Sequence, residues 1–241
     1  MHEGELPLSV PPPASGRQAV WRDRRRSVSV AERLAEVRER IARTGRHPND
    51  VTIVAVTKGF GPDVCREALD AGLRILGENR VQEALTKIEV VQGAEWHLIG
   101  HLQTNKVRQA TGRFELIQSV ASLHLAEALA RVDPTQKVLI EVNVSREPQK
   151  SGVDPAQAND LIDEAATLLE VRGLMGMGPA DRDPRSAFEE LRALRAGAEQ
   201  RLGKSLPILS IGMSGDFEAA VAAGSTMVRL GQALFGPRTA V

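Results

Sequence analysis

The chain has 241 residues, and Lys plus Arg equal Asp plus Glu at 31 each. That length suits one α/β barrel of roughly 250 residues, and the charge balance leaves no net field to attract nucleic acid or an acidic membrane. The single cysteine, Cys65, has no internal disulfide partner, no apolar run approaches the about 18 residues of a membrane span, and the N-terminus has no signal-peptide core, so a cytoplasmic location is expected.

In chain order, residues 1–26 carry Pro11, Pro12 and Pro13 and the cluster Arg22, Arg24, Arg25 and Arg26. A triple proline favours polyproline geometry, so this segment reads as a disordered basic tail preceding one domain over 27–241. The tail is either a docking segment for an acidic partner or a solvated terminus without a specific task. Ser29 with Glu32 has capping-box spacing, and Leu34, Val37 and Ile41 form an apolar stripe that Gly45 and Pro48 end. Short apolar runs then alternate with helical stretches. The candidate strands are 51–58, 73–77, 96–100, 115–119, 137–143, 171–175, 207–211 and 226–230. Helix formers at helical spacing occupy 62–71, 81–91, 123–132, 155–169, 187–202 and 217–223. Eight strands with helices between them predict parallel pairing and a single (β/α)8 TIM barrel, with an open doubly wound sheet as the alternative. No repeat and no interdomain linker interrupts the pattern.

In such a barrel the chemistry lies at the C-terminal ends of the strands. The first strand ends in Thr57-Lys58-Gly59, and alternation places Lys58 on the inner face with Val54 and Val56. A desolvated lysine there has a lowered pKa and is nucleophilic toward an aldehyde. Equally, it reads as a lysine that snorkels to solvent and pairs with a carboxylate such as Glu78. The later strands run into Gly77-Glu78-Asn79, into Trp96-His97-Leu98-Ile99-Gly100, into Glu141-Val142-Asn143 and into Met175-Gly176-Met177-Gly178. His97 alone reads first as an interior histidine bonded to its neighbours. No His/Cys/Asp/Glu grouping has metal-ligand spacing, so no metal is predicted. Strand seven ends in Ser210-Ile211-Gly212-Met213-Ser214-Gly215-Asp216, and strand eight, with Arg229, leads into Gly231-Gln232. Glycine-rich turns at these two strands and a following helix match the usual phosphate site of this fold, because backbone N–H groups and the helix dipole favour an anion; the alternative is two ordinary βα turns, where Gly and Ser are common.

Taken together these segments resemble the pyridoxal phosphate homeostasis protein family. The matching motifs are Ala55-Val56-Thr57-Lys58, Gly77-Glu78-Asn79 with Val81-Gln82-Glu83, Trp96-His97-Leu98-Ile99-Gly100 with Asn105-Lys106, Lys150-Ser151-Gly152, Gly173-Leu174-Met175 with Met177, Ser210 to Ser214 with Asp216, and Val228-Arg229-Leu230-Gly231 with Phe235-Gly236. They stand in family order from about residue 30 to 236. The family is similar in fold to the barrel domain of alanine racemase (fold type III of pyridoxal phosphate proteins). The resemblance implies pyridoxal 5′-phosphate held as a Schiff base on Lys58, with Ser214, Gly231 and Gln232 at its phosphate and Ser210 as a weaker candidate there. It further implies Arg229 at the pyridine nitrogen, and Asn79, His97, Met175 and Met177 around the ring. Gln232, Ala121, Gly176 and Gly178 depart from the family's usual residues, which touches the outer pocket but not Lys58 or Arg229.

An arginine cannot accept the ring nitrogen's proton and repels a positive ring, which weakens the cofactor as an electron sink. The alanine racemase relatives use a tyrosine opposite the lysine and add a β domain. This chain has no tyrosine and ends five residues after Gly236. The resemblance therefore implies a non-catalytic carrier in vitamin B6 and amino-acid homeostasis, with apo-enzymes as possible recipients; a monomer is expected because no extended apolar patch stands out in the sequence. A low-activity racemase or decarboxylase that uses Lys58 as base is the alternative, and an aldolase-type Schiff-base lysine acting on sugar phosphates is a third reading.

Overall fold

The structure, a computed structural model, describes Met1 and residues 28–237. The predicted basic tail lies outside the described residues. Helix α1 (Val30–Arg43) begins with the expected capping box: the Ser29 hydroxyl accepts from the Glu32 N–H while the Glu32 carboxylate accepts from the Ser29 N–H. Its Leu34, Val37 and Ile41 are buried, as the stripe predicts.

Strands and helices then alternate: β1 (Thr52–Val56), α2 (Pro62–Asp70), β2 (Ile75–Glu78), α3 (Val81–Ile88), β3 (Glu95–Leu98), the short α4 (Val107–Ala110), β4 (Leu116–Val120) and α5 (Leu123–Ala130). The second half continues with β5 (Lys137–Val142), α6 (Ala158–Leu168), β6 (Glu170–Gly176), α7 (Arg185–Leu202), β7 (Ile208–Ser210), α8 (Phe217–Ala222), β8 (Met227–Leu230) and α9 (Gln232–Phe235). All eight strands are parallel, and β1 pairs with β8, so the sheet closes into a barrel rather than staying open. Among the described residues no helix is long and apolar enough to cross a membrane.

The strands are largely apolar on both faces because each face is covered. Outward residues such as Ala55, Leu76, Ile117, Ile140 and Leu174 join the helices in one continuous core. Inward residues Val54, Leu116, Leu139, Met175 and Met227 form a separate cluster inside the barrel, the filled layer expected of an eight-stranded barrel. Above that layer the inward positions turn polar. Gly173, at φ +154°, lets β6 pass so close to β7 that an added Cβ would lie 1.8 Å from the Ile208 carbonyl oxygen.

Candidate functional site

A cavity of ≈ 590 Å³ opens at the C-terminal mouth of the barrel. Lys58 lines it from just beyond β1, half-buried and on the same face as Val54 and Val56. Thr57, by alternation, points outward. There its hydroxyl donates to Glu78, and the buried Lys87 of α3 donates to Glu78 at 2.7 Å, to Glu83 at 2.8 Å and to the Thr57 carbonyl at 2.9 Å. Glu83 also accepts from the Gly59 N–H. Both chain neighbours of Lys58 are thus held from outside the barrel. Glu78, the carboxylate considered as a partner for Lys58, belongs to this outer network. Burial pushes the Glu78 carboxyl up against the pull of Lys87. Burial opposes the Lys87 charge too, but its hydrogen bonds to Glu78 and Glu83 outweigh it and the pKa rises.

On the adjacent strand β8, Arg229 is buried, and its guanidinium donates to the Ser210 carbonyl at 2.8 Å, the Ser210 hydroxyl at 2.7 Å and the Gly176 carbonyl at 2.9 Å. Burial lowers its pKa to about 10, against the opposing pull of Glu141 and Asp216. Ser210 passes the bond on: its hydroxyl donates to Gln118 Oε1 at 2.7 Å, and Gln118 Nε2 stands 3.0 Å from His97 Nδ1. His97 Nε2 stands 3.0 Å from Glu95 Oε1. Because Gln118 Nε2 can only donate, His97 Nδ1 accepts and Nε2 carries the proton to Glu95. The result is a one-directional hydrogen-bonded chain from Arg229 through Ser210, Gln118 and His97 to Glu95.

The loops after β7 and β8 complete the mouth. Asp216 Oδ1 accepts from the Met213 N–H at 2.6 Å and closes the first turn, while Ser214 Oγ accepts from the Ala233 N–H at 3.1 Å and ties it to the second. Ser214 keeps its own hydroxyl proton to donate. After β5, Asn143 donates to the carbonyls of Glu147 and Lys150, and Lys150 donates to the Gly178 carbonyl, which joins this loop to the end of β6. A Cβ at Gly178 would fall 2.7 Å from Pro184 and 3.0 Å from Phe188, so glycine here admits α7 close to the barrel end.

Of the predicted site residues, Lys58, Asn79, Met177, Ser214, Arg229, Gly231 and Gln232 line the cavity. His97, Met175 and Ser210 sit in the buried layers beneath it. There they support Arg229 or fill the barrel, which matches the reading of His97 as a bonded interior histidine. Sequence reasoning assigned no role to Glu141, Ser151 or Phe60, which also line it. The signal for Glu141 was present: it is the charged residue in the apolar run of β5, inward by alternation from Leu139. Its Oε2 is buried with no hydrogen-bond partner, and burial raises its pKa to about 7 against the pull of Arg229. Among the described residues no group of three or more His, Cys, Asp or Glu is placed to hold a metal ion.

The chain is a closed (β/α)8 barrel of the alanine racemase N-terminal-domain type, with a lysine at its mouth and an inward arginine on β8. The family described as alanine racemase, N-terminal domain, matches residues 33–239. An alanine racemase from Corynebacterium glutamicum, 18% identical, superposes with a TM-score of 0.71 over 87% of this chain and 60% of that one, a likeness of fold. The pyridoxal phosphate homeostasis protein of Aquifex aeolicus is 41% identical over 226 residues, covering 88% of this chain and 99% of that one. The Escherichia coli protein of the same name is 40% identical over 227 residues, covering 87% and 97%. The solved structure of PipY from Synechococcus elongatus with PLP bound is 36% identical, with a TM-score of 0.76 over 86% of this chain and all of that one. The chain belongs to the pyridoxal phosphate homeostasis protein family.

Proposed function

We propose that this chain holds pyridoxal 5′-phosphate at the barrel mouth, linked as a Schiff base to Lys58, and that it carries the cofactor rather than turning over a substrate with it. The observation that supports this reading is the meeting in one cavity of the Lys58 amine, the buried Arg229 guanidinium and the two turns joined by Ser214 and Ala233. The residues present fit the group. Lys58 supplies the amine for its aldehyde, and Ser214 with Gly231 and Gln232 supplies donors for its phosphate. Arg229 uses three of its five N–H donors on Ser210 and Gly176, which leaves two for the ring side. Asn79 and Met177 border the remaining space. A relative that is solved with PLP bound and others named for pyridoxal phosphate homeostasis support the same ligand.

When bound, the cofactor supplies an electron sink whose strength grows with protonation of its ring nitrogen. Arg229 cannot take up that proton and disfavours a positive ring. The chain also has no tyrosine to act opposite Lys58. Reversible holding, with release to amines or to apo-enzymes of vitamin B6 and amino-acid metabolism, is the role these residues suit. The test is the visible spectrum of the purified protein with and without borohydride. A yellow band that borohydride bleaches and Lys58→Ala abolishes is expected, and a colourless protein that takes up no added cofactor overturns the reading.

One observation favours a slow enzyme instead. Glu141 on β5 faces the cavity across the closed barrel from β1, and its pKa of about 7 suits proton transfer. Racemisation or decarboxylation of amino acids by the purified protein, lost in Lys58→Ala, would decide for that reading.

A further inference from the structure

Glu141 combines three properties. It is 3% exposed, it lines the cavity, and its Oε2 has no hydrogen-bond partner. The nearby guanidinium does not satisfy it, because the Arg229 hydrogen bonds run to Ser210 and Gly176. An ionised carboxylate so placed is a buried charge without a hydrogen-bonded partner, which is costly, whereas the protonated acid is neutral and has an O–H to donate. Burial pushes this carboxyl up to about 7, with Arg229 pulling the other way, so the neutral form is accessible at neutral pH. The other charged or titratable groups at the mouth are Lys58 beyond β1, His101 after β3 and Arg229 on β8, with Asp216 acting on Arg229 from the loop before α8. The inward side chains of the flanking strands, Gln118 on β4 and Met175 on β6, carry no charge.

We propose that Glu141 serves the cavity as a neutral carboxylic acid whose O–H donates to an anionic oxygen of the ligand, so that the anion is captured with a proton and given back as pH rises. A carboxylic acid kept neutral in an apolar site is an established form of oxyanion donor. The proposal rests on the cavity being the cofactor site. The anionic oxygen belongs either to the cofactor's ring hydroxyl or to its phosphate, and the two sources are separable.

Binding of pyridoxal 5′-phosphate is followed by absorbance from pH 6 to pH 8 in the wild type and in Glu141→Gln. If only the protonated form accepts the ligand, wild-type affinity falls by about tenfold over this range beyond any change shared with the variant. Glu141→Gln, which keeps a donor but cannot ionise, lacks that extra fall. Repeating the titration with the analogue that lacks the ring hydroxyl identifies the source: loss of the extra fall assigns the ring oxygen, and its persistence assigns the phosphate. Identical pH profiles in the wild type and Glu141→Gln overturn the proposal. Infrared difference spectra of the ligand-free protein give a second, independent decision. A protonated-carboxyl stretch that titrates near neutrality and vanishes in Glu141→Gln supports it, and a Glu141 ionised throughout the range overturns it. A wild type that binds no cofactor at any pH ends the function proposed above, and the infrared titration still decides the state of Glu141.

Discussion

Lys87 on α3 places its ammonium 2.9 Å from the carbonyl oxygen of Thr57, the residue immediately before Lys58. A buried cation on one side of the barrel wall therefore fixes the backbone that presents the mouth lysine on the other.

Removing that cation leaves Glu78, which is buried, without its counter-charge. Breaking a buried ion pair from one side costs about 3 kcal/mol or more. Lys87→Met should lower the urea midpoint accordingly, and should also slow borohydride trapping of cofactor on Lys58. A variant as stable as the wild type would show that the pair is held at no net gain.

Gln118 is the hinge of the chain that runs from Arg229 to Glu95, accepting from Ser210 and donating toward His97. Gln118→Leu fits a similar volume but orphans buried polar groups on both sides, at about 1–3 kcal/mol for each group left unpaired. Chemical denaturation measures the loss. The same variant should weaken cofactor binding, since Arg229 loses the support behind Ser210.

The pH dependence of folding carries the signature of Glu141. Its native pKa, raised to about 7 by burial, exceeds the ordinary value of 4.5. Below about pH 4.5 both states are protonated. Between there and about pH 7 only the unfolded chain loses its proton, so stability falls as pH rises, and above that range the loss is complete. The expected loss is on the order of 3 kcal/mol. Urea unfolding of Glu141→Gln across pH 4 to 9 should lack this slope, and an unchanged slope would contradict the assignment.

Gly212 sits at φ +98°, where an added Cβ would lie 2.6 Å from Ala220 Cβ and 3.1 Å from Phe217 Cα. Gly212→Ala forces both backbone strain and overpacking against α8, a loss of about 2–4 kcal/mol. Because this turn leads into Ser214, weaker phosphate binding should accompany the loss. Thermal unfolding and a cofactor titration read the two effects separately.

The barrel was legible because parallel strands covered on both faces leave apolar runs such as Thr52–Val56, and because helix signals such as Ser29 with Glu32 are local. Elements of about one helical turn, such as Val107–Ala110 and Gln232–Phe235, are too short to leave a periodic signal. At the site, alternation alone placed Lys58 inward, and the resemblance put Arg229 at the cofactor. Alternation could not separate residues that reach the cavity from those one layer lower, since His97, Met175 and Ser210 share the inward face with those above them. Depth depends on strand stagger around the closed barrel, which no single strand encodes. Lys87 escaped notice because its partners lie up to 30 residues away. Its charge reads as a solvated helix face until α3 is seen against β2.

The hydrogen-bonded chain through the barrel has a consequence for how this interior can change. Ser210, Gln118 and His97 each give and receive in a fixed direction, so none of them has a freely interchangeable substitute. A change at one that reverses or removes its donor must be matched at the next, or the interruption falls on Arg229. Positions 97, 118, 210 and 229 should therefore vary as a set, and grafting one of them from a relative would fail where grafting all four succeeds.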